Sequence, residues 1–100
     1  MSWWYVYILG STAKDFVYVG STNCFQRRVS EHNQGLVKST KAYRPLELLA
    51  YIAVATEQKA KELERYLKTG SGKAILRKRI LANYAAPRKG GASLGKPDEA

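Results

Sequence analysis

Trp3-Trp4-Tyr5-Val6-Tyr7-Ile8-Leu9, the connector Gly10-Ser11-Thr12-Ala13-Lys14-Asp15, and Phe16-Val17-Tyr18-Val19-Gly20 decide the fold. In the first segment Trp3, Tyr5, Tyr7 and Leu9 alternate with Trp4, Val6 and Ile8. Aromatic and β-branched residues at period two predict a strand. The Gly/Ser/Thr/Asp-rich connector turns the chain, and Phe16 to Gly20 returns as a second strand. Pairing Leu9 with Phe16 sets Tyr7 opposite Tyr18. Directly opposed residues share a sheet face, so the two phenols should stand side by side.

Working outward, Ser21-Thr22-Asn23 offers helix caps, and Asn23 with Gln26 fits a capping box. The helix so begun should run to about Asn33 and stop at Gly35. Gly35 to Arg44 is polar and reads as irregular, closed by Pro45. Leu46 to Val54 reads as a third strand. Thr56 caps a second helix, from Glu57 to about Thr69, ended by Gly70. Ser71 opens a third, through Lys73, Ile75, Leu76 and Ile80 to about Asn83. From Ala85 the composition turns to Pro, Gly, Lys, Ser and Asp, with almost nothing apolar, which predicts a disordered basic tail. The expectation is one α+β domain over residues 1–83 and a tail over 84–100. The order is ββαβαα, a small three-stranded antiparallel sheet flanked by three helices.

One hundred residues suffice for one domain and are too few for two. No apolar run approaches bilayer length, and the start lacks the charged region and cleavage site of a secretory leader. A single cysteine, Cys24, excludes an internal disulfide framework, and with a single histidine it leaves no Cys/His zinc site. A reducing, cytoplasmic setting is the simplest expectation. The formal net charge of +9 points to a polyanionic partner, nucleic acid before membrane, with charge alone silent between DNA and RNA.

Polar residues stand where helix faces should be apolar. Phe25, Arg28, Val29 and His32 recur at i, i+3, i+4 and i+7, so they share one face. Phe25 and Val29 mark it as the face toward the sheet, with Arg27 and Glu31 pointing away. A snorkelling arginine or a satisfied core histidine is the ordinary reading of either residue alone. Together, beside two tyrosines, they tip toward a site. In the second helix, Glu64 joins the stripe Ala60, Leu63 and Leu67. An inward carboxylate is costly unless paired. Its partner is either Arg28, in a structural salt bridge, or a hard divalent cation completed by water and phosphate. Lys73, Arg77, Lys78 and Arg79 on the third helix form either a solvated face or a track for a phosphate backbone.

With these residues assembled, the chain resembles the GIY-YIG nuclease domains of the short, stand-alone type. Tyr5-Val6-Tyr7 stands at the family's first tripeptide, with tyrosine in place of its glycine. Tyr18-Val19-Gly20 stands at the second; Arg28, His32 and the helix Ala60 to Lys68 with Glu64 follow in order. The resemblance covers roughly residues 3 to 83. It implies an endonuclease that hydrolyses a DNA phosphodiester with one Mg²⁺ or Mn²⁺, structure-selective and linked to repair. By that resemblance Tyr18, or else Tyr7, is the general base, Arg28 holds the scissile phosphate, His32 orients the tyrosine and Glu64 binds the metal. Lys73, Arg77 and Lys78 are expected to contact nucleic acid. A binding module that keeps the fold without catalysis is the alternative, and a purely structural Arg28–Glu64 pair is a third.

Overall fold

The structure, a computed structural model, describes residues 2–81; the expected tail and the last residues of the third helix lie outside them. The elements are β1 (Trp4–Ser11), β2 (Val17–Thr22), α1 (Phe25–Asn33), a short 3₁₀ turn (Lys41–Tyr43), β3 (Leu46–Val54), α2 (Glu57–Leu67) and α3 (Gly70–Ile75), the last running into a wider π turn (Leu76–Ile80). The three strands form an antiparallel sheet in the order β2-β1-β3, giving the expected ββαβαα fold.

The alternation within β1 divides the core between the two faces of the sheet. Val6 and Ile8 join Val19, Ala60, Leu67 and Leu76 beneath α2 and α3. Tyr7 and Leu9 join Leu46 on the other face, where Phe25 and Val29 of α1 pack. The central strand is thus sealed on both sides, and Val6 through Leu9 are essentially inaccessible to solvent. At about 1.5–3 kcal/mol for each fully buried apolar side chain, this strand is the main apolar anchor of the domain.

The hairpin register departs from expectation by two residues. Leu9 opposes Tyr18, and Tyr7 opposes Gly20. The Ser11 hydroxyl accepts from the amides of Ala13 (3.1 Å) and Lys14 (2.9 Å), and the Ser11 amide donates to the Phe16 carbonyl at 3.0 Å. These bonds tighten the turn and carry β1 on to Ser11. A shift of two preserves which face each side chain occupies, so Tyr7 and Tyr18 still share a face, as diagonal neighbours.

The start of α1 and the junction of α2 with α3 also differ, while α1 ends at Gly35 as expected. The cap of α1 is Cys24, with no side-chain cap bond, and the expected Asn23–Gln26 box is not formed. The Thr22 hydroxyl instead accepts the Cys24 amide at 3.2 Å and bends the chain from strand to helix. At the far end of α1 the amide of Leu36 donates to the Glu31 carbonyl, and that of Gly35 to His32, both at 3.1 Å. This is a Schellman closure, with Gly35 at φ +81°, which an L side chain resists. Gly70 does not end α2 but opens α3, because the Thr69 hydroxyl accepts the Gly72 amide and restarts a helix. That helix reaches Ile75 and then widens into the π turn through Ile80.

The crossing of α2 and α3 depends on Gly72. A Cβ there would lie 2.6 Å from Leu67 Cα and overlap the Tyr66 carbonyl, whereas one at Gly70 meets open space. Gly72→Ala should therefore lower stability by about 1–3 kcal/mol. Gly70→Ala should be neutral or stabilising by up to about 1 kcal/mol. Urea midpoints of the two variants check both expectations.

Candidate active site

The α1 face of the sheet carries an aromatic and imidazole cluster made by three elements. Tyr7 enters from β1, Tyr18 from β2 and His32 from α1. The Tyr7 and Tyr18 ring centroids are 6.2 Å apart, and His32 lies 5.6 Å from the first and 5.0 Å from the second. Gly20, opposite Tyr7, makes room for this packing. A Cβ there would overlap the Tyr7 hydroxyl and ring.

His32 is fully buried and bonded at both nitrogens, Nε2 to the Tyr7 hydroxyl at 2.9 Å and Nδ1 to the Thr40 hydroxyl at 2.7 Å. Thr40, also fully buried, donates its single proton to the Val37 carbonyl at 3.4 Å. It therefore accepts from Nδ1–H, which leaves Nε2 as the acceptor of the Tyr7 proton. Sequence reading placed Tyr7 and His32 but missed Thr40, because it lies in a polar stretch with no periodicity to reveal burial.

Arg28, one turn before His32, pairs with Glu31 at 2.9 Å, and Arg27 approaches the same carboxylate at 3.5 Å. The expectation that Glu31 points away is thus corrected. At i+3 from Arg28 it folds back onto the guanidinium, the ordinary geometry of such pairs. Glu64 lies on α2, beneath the opposite face, and meets the site at the β2 edge. Its Oε1 accepts from the Ser21 hydroxyl at 2.6 Å, and its Oε2 from Lys68 Nζ at 2.7 Å. The Lys68 ammonium also lies 5.7 Å from the Tyr18 ring centroid, so it links the carboxylate to the tyrosine. The structural Arg28–Glu64 pair is not formed, since each ion has a nearer partner on its own helix. The Glu64–Lys68 spacing of i, i+4 was visible in the sequence; Ser21, supplied by β2, was not. Lys73, Arg77 and Lys78 are exposed on the helical layer covering the face opposite α1, apart from this cluster.

The family model described as the GIY-YIG catalytic domain matches residues 3–79. The chain belongs to the GIY-YIG family. A UPF0213 protein of Bacillus pumilus (strain SAFR-032) is 39% identical to it over 70 residues, which are 69% of this chain and 70% of that protein. The solution NMR structure of the UPF0213 protein BH0048 from Bacillus halodurans aligns with a TM-score of 0.47 at 29% identity, over 76% of this chain and 83% of that one. GIY-YIG domains are nuclease domains, generally dependent on a divalent metal, so a nucleic-acid substrate follows for this chain. Among the described residues no helix is long and apolar enough to cross a membrane.

Burial sets the charge states in this cluster. It pushes the Tyr7 phenol up to about 12, an effect that the neighbouring Arg28 guanidinium only partly offsets. Tyr7 therefore remains a hydrogen-bond donor at neutral pH. Burial, helped by the Arg28 charge, pushes His32 down to about 4, so the imidazole is neutral. For Glu64, burial acts to raise the carboxyl, but the Lys68 and Ser21 hydrogen bonds outweigh it and hold the group below the usual carboxylate range. The Glu31 hydrogen bond raises Arg28 further still.

The donor chemistry at Glu64 suits a hard cation. Its carboxylate is ionised and half-buried, and one oxygen already faces a positive charge, the Lys68 ammonium. Among the described residues no group of three His, Cys, Asp or Glu side chains converges on a metal position. A divalent ion held by Glu64 would complete its shell with water and phosphate oxygens, a common arrangement for Mg²⁺.

Two measurements test this geometry. His32 is the single histidine, so its ring signals are unambiguous in NMR. They should titrate near pH 4 with the proton on Nδ1 above that; a midpoint near 6.5 would contradict the burial. The unfolded imidazole takes a proton as pH falls through about 6.5 while the folded one resists until about 4. Stability contributed by neutral His32 is therefore present above pH 6.5 and declines between these values, by roughly 3 kcal/mol. Separately, Thr40→Val should cost about 1–3 kcal/mol by stranding the Nδ1–H, measured as a drop in Tm.

Proposed function

We propose that the chain is a metal-dependent DNA endonuclease hydrolysing a phosphodiester with one divalent ion held by Glu64. The observation that carries this reading is the convergence of Tyr7, Tyr18, Arg28 and His32 on one sheet face, with Glu64 meeting it at the β2 edge. A merely structural cluster has no need of two phenols, a guanidinium and an inward carboxylate around one strand edge.

In this reading Tyr18 is the general base. Tyr7 donates a hydrogen bond to His32, and its raised pKa keeps it neutral, so it is suited to orient rather than to abstract a proton. Tyr18 is half-buried, has its ring against His32, and remains partly open to a water molecule. Arg28 exchanges Glu31 for a phosphate oxygen and stabilises the charge that develops there. His32, neutral and fixed by Thr40, locks the Tyr7 ring beside Tyr18. The metal, when bound at Glu64, supplies Lewis-acid stabilisation of the leaving oxygen. We read the substrates as branched or single-stranded DNA, processed in repair in the cytoplasm. Lys73, Arg77 and Lys78 provide a second, purely electrostatic contact to the backbone.

A second reading draws on the ion pairs themselves. Arg28 with Glu31 and Glu64 with Lys68 are already neutralised, as in a nucleic-acid-binding module without catalysis. Cleavage separates the two. Labelled single-stranded, duplex and branched DNA, with an RNA arm, should be cut in Mg²⁺ or Mn²⁺ and not in EDTA. Glu64→Ala and Arg28→Ala should each lower the rate on the order of a hundredfold or more. Binding to every substrate without cleavage selects the module. Cleavage that survives EDTA or the Glu64 substitution contradicts the one-metal mechanism.

A further inference from the structure

Three more aromatic rings stand on the α1 face of the sheet, beside the site but outside its hydrogen-bond network. Phe25, the first residue of α1, stacks on Tyr51 of β3 with centroids 4.3 Å apart and planes inclined by 24°. Tyr5 of β1 meets both rings edge-on, at 5.0 Å and 5.8 Å. Neither Tyr5 nor Tyr51 belongs to the core cluster beneath α1. Tyr51 leaves 50% of its surface exposed, whereas Tyr7, its neighbour in the sheet, leaves 1%.

The register ties this cluster to the site. Tyr7 opposes Gly20 on one side and Tyr51 on the other, so a single row crosses the sheet from the Tyr18–Glu64 edge to the aromatic edge. With strands spaced about 4.8 Å apart, the row spans two intervals, about 10 Å. Phe25 and Arg28 lie at i and i+3 on α1, so they share one face of that helix.

We propose that Tyr51, backed by Phe25 and Tyr5, is a stacking platform for an unpaired nucleobase of the strand whose phosphate Arg28 takes. The proposal rests on the nucleic-acid reading of Arg28 and deepens it, by assigning the substrate class at this edge to unpaired nucleotides. Charge and shape favour this occupant. The chain carries a net charge of +9, and Arg27 and Arg28 follow Phe25 on α1. A flat, half-exposed ring already braced from behind offers a face to any base, at little ordering cost. A base inside a duplex is covered on both faces by its neighbours and cannot use it, so the platform selects single-stranded or frayed segments.

The test compares two fluorescently labelled probes of equal length and charge in EDTA, a short oligothymidylate and its abasic counterpart, by anisotropy. Tyr51→Ala and Tyr51→Leu should each weaken oligothymidylate binding about 5- to 100-fold. Tyr51→Phe should stay within about twofold of the parent, since it keeps the ring. Abasic binding should be unchanged in all three. Leucine keeps apolar bulk without a π face, so loss in that variant, with an unaltered Tm, assigns the effect to stacking. Equal weakening of both probes, no weakening of either, no preference of the parent for the base-bearing probe, or a patch covered by a second copy in sedimentation would each overturn the platform. Ring-dependent binding without cleavage of any substrate in Mg²⁺ would leave the platform standing while the nuclease reading falls. Cleavage with no Tyr51 dependence would do the reverse.

Discussion

The buried chain from Tyr7 through His32 to Thr40 constrains the rest of the molecule. An imidazole with no solvent access must have both nitrogens satisfied, or it costs the domain a few kcal/mol. One partner comes from the central strand and the other from the loop after α1, so strand, helix and loop are fixed to one another by two short bonds. Several local choices follow from this. Gly20 is bare because the Tyr7 ring needs its space. Gly35 takes a positive φ to turn the chain so that Thr40 returns beneath His32. The Asn33 amide clamps the start of β3, donating to the Leu46 carbonyl at 2.8 Å and accepting its amide at 2.7 Å, which holds the end of α1 against the sheet.

Around that neutral chain the charged groups are grouped by helix. Arg28 is balanced by Glu31 within α1, and Glu64 by Lys68 within α2. Exposed pairs of this kind contribute little to stability, so their main effect is to hold each charged group in place. In the reading we propose, substrate binding is an exchange of partners. A phosphate takes the place of Glu31 at Arg28, and a metal ion takes that of Lys68 at Glu64. The cost of ordering the two side chains has then already been met by folding.

Much of this was legible in the sequence because periodicity is a strong signal. Strict alternation gave β1, and the i, i+3, i+4, i+7 stripe gave the inward face of α1, with Arg28 and His32 on it. Thr56 capped α2 as its position predicts, accepting the Lys59 amide. The register was off by two because Ser11 shapes the turn through a side-chain bond that composition does not reveal. Parity nevertheless kept the phenols on one face. Gly70 and Gly72 show how the same residue type can open a helix at one position and allow a backbone crossing two residues later. Thr40 and Ser21 were invisible for another reason: their roles depend on contacts across the fold, and no local pattern marks them. Glu31 was misdirected because helical wheels place the Cβ, while a long side chain can fold back along its own helix.

The central claim is that one ion-binding carboxylate sits against the tyrosine edge of this sheet. Titration with Mn²⁺, followed by NMR line broadening, tests it most directly. The account predicts that signals of Ser21, Tyr18 and Lys68 broaden first, those of α3 around Lys73 later, and that the effect disappears in Glu64→Ala. Broadening centred elsewhere, or unchanged by that substitution, would contradict it.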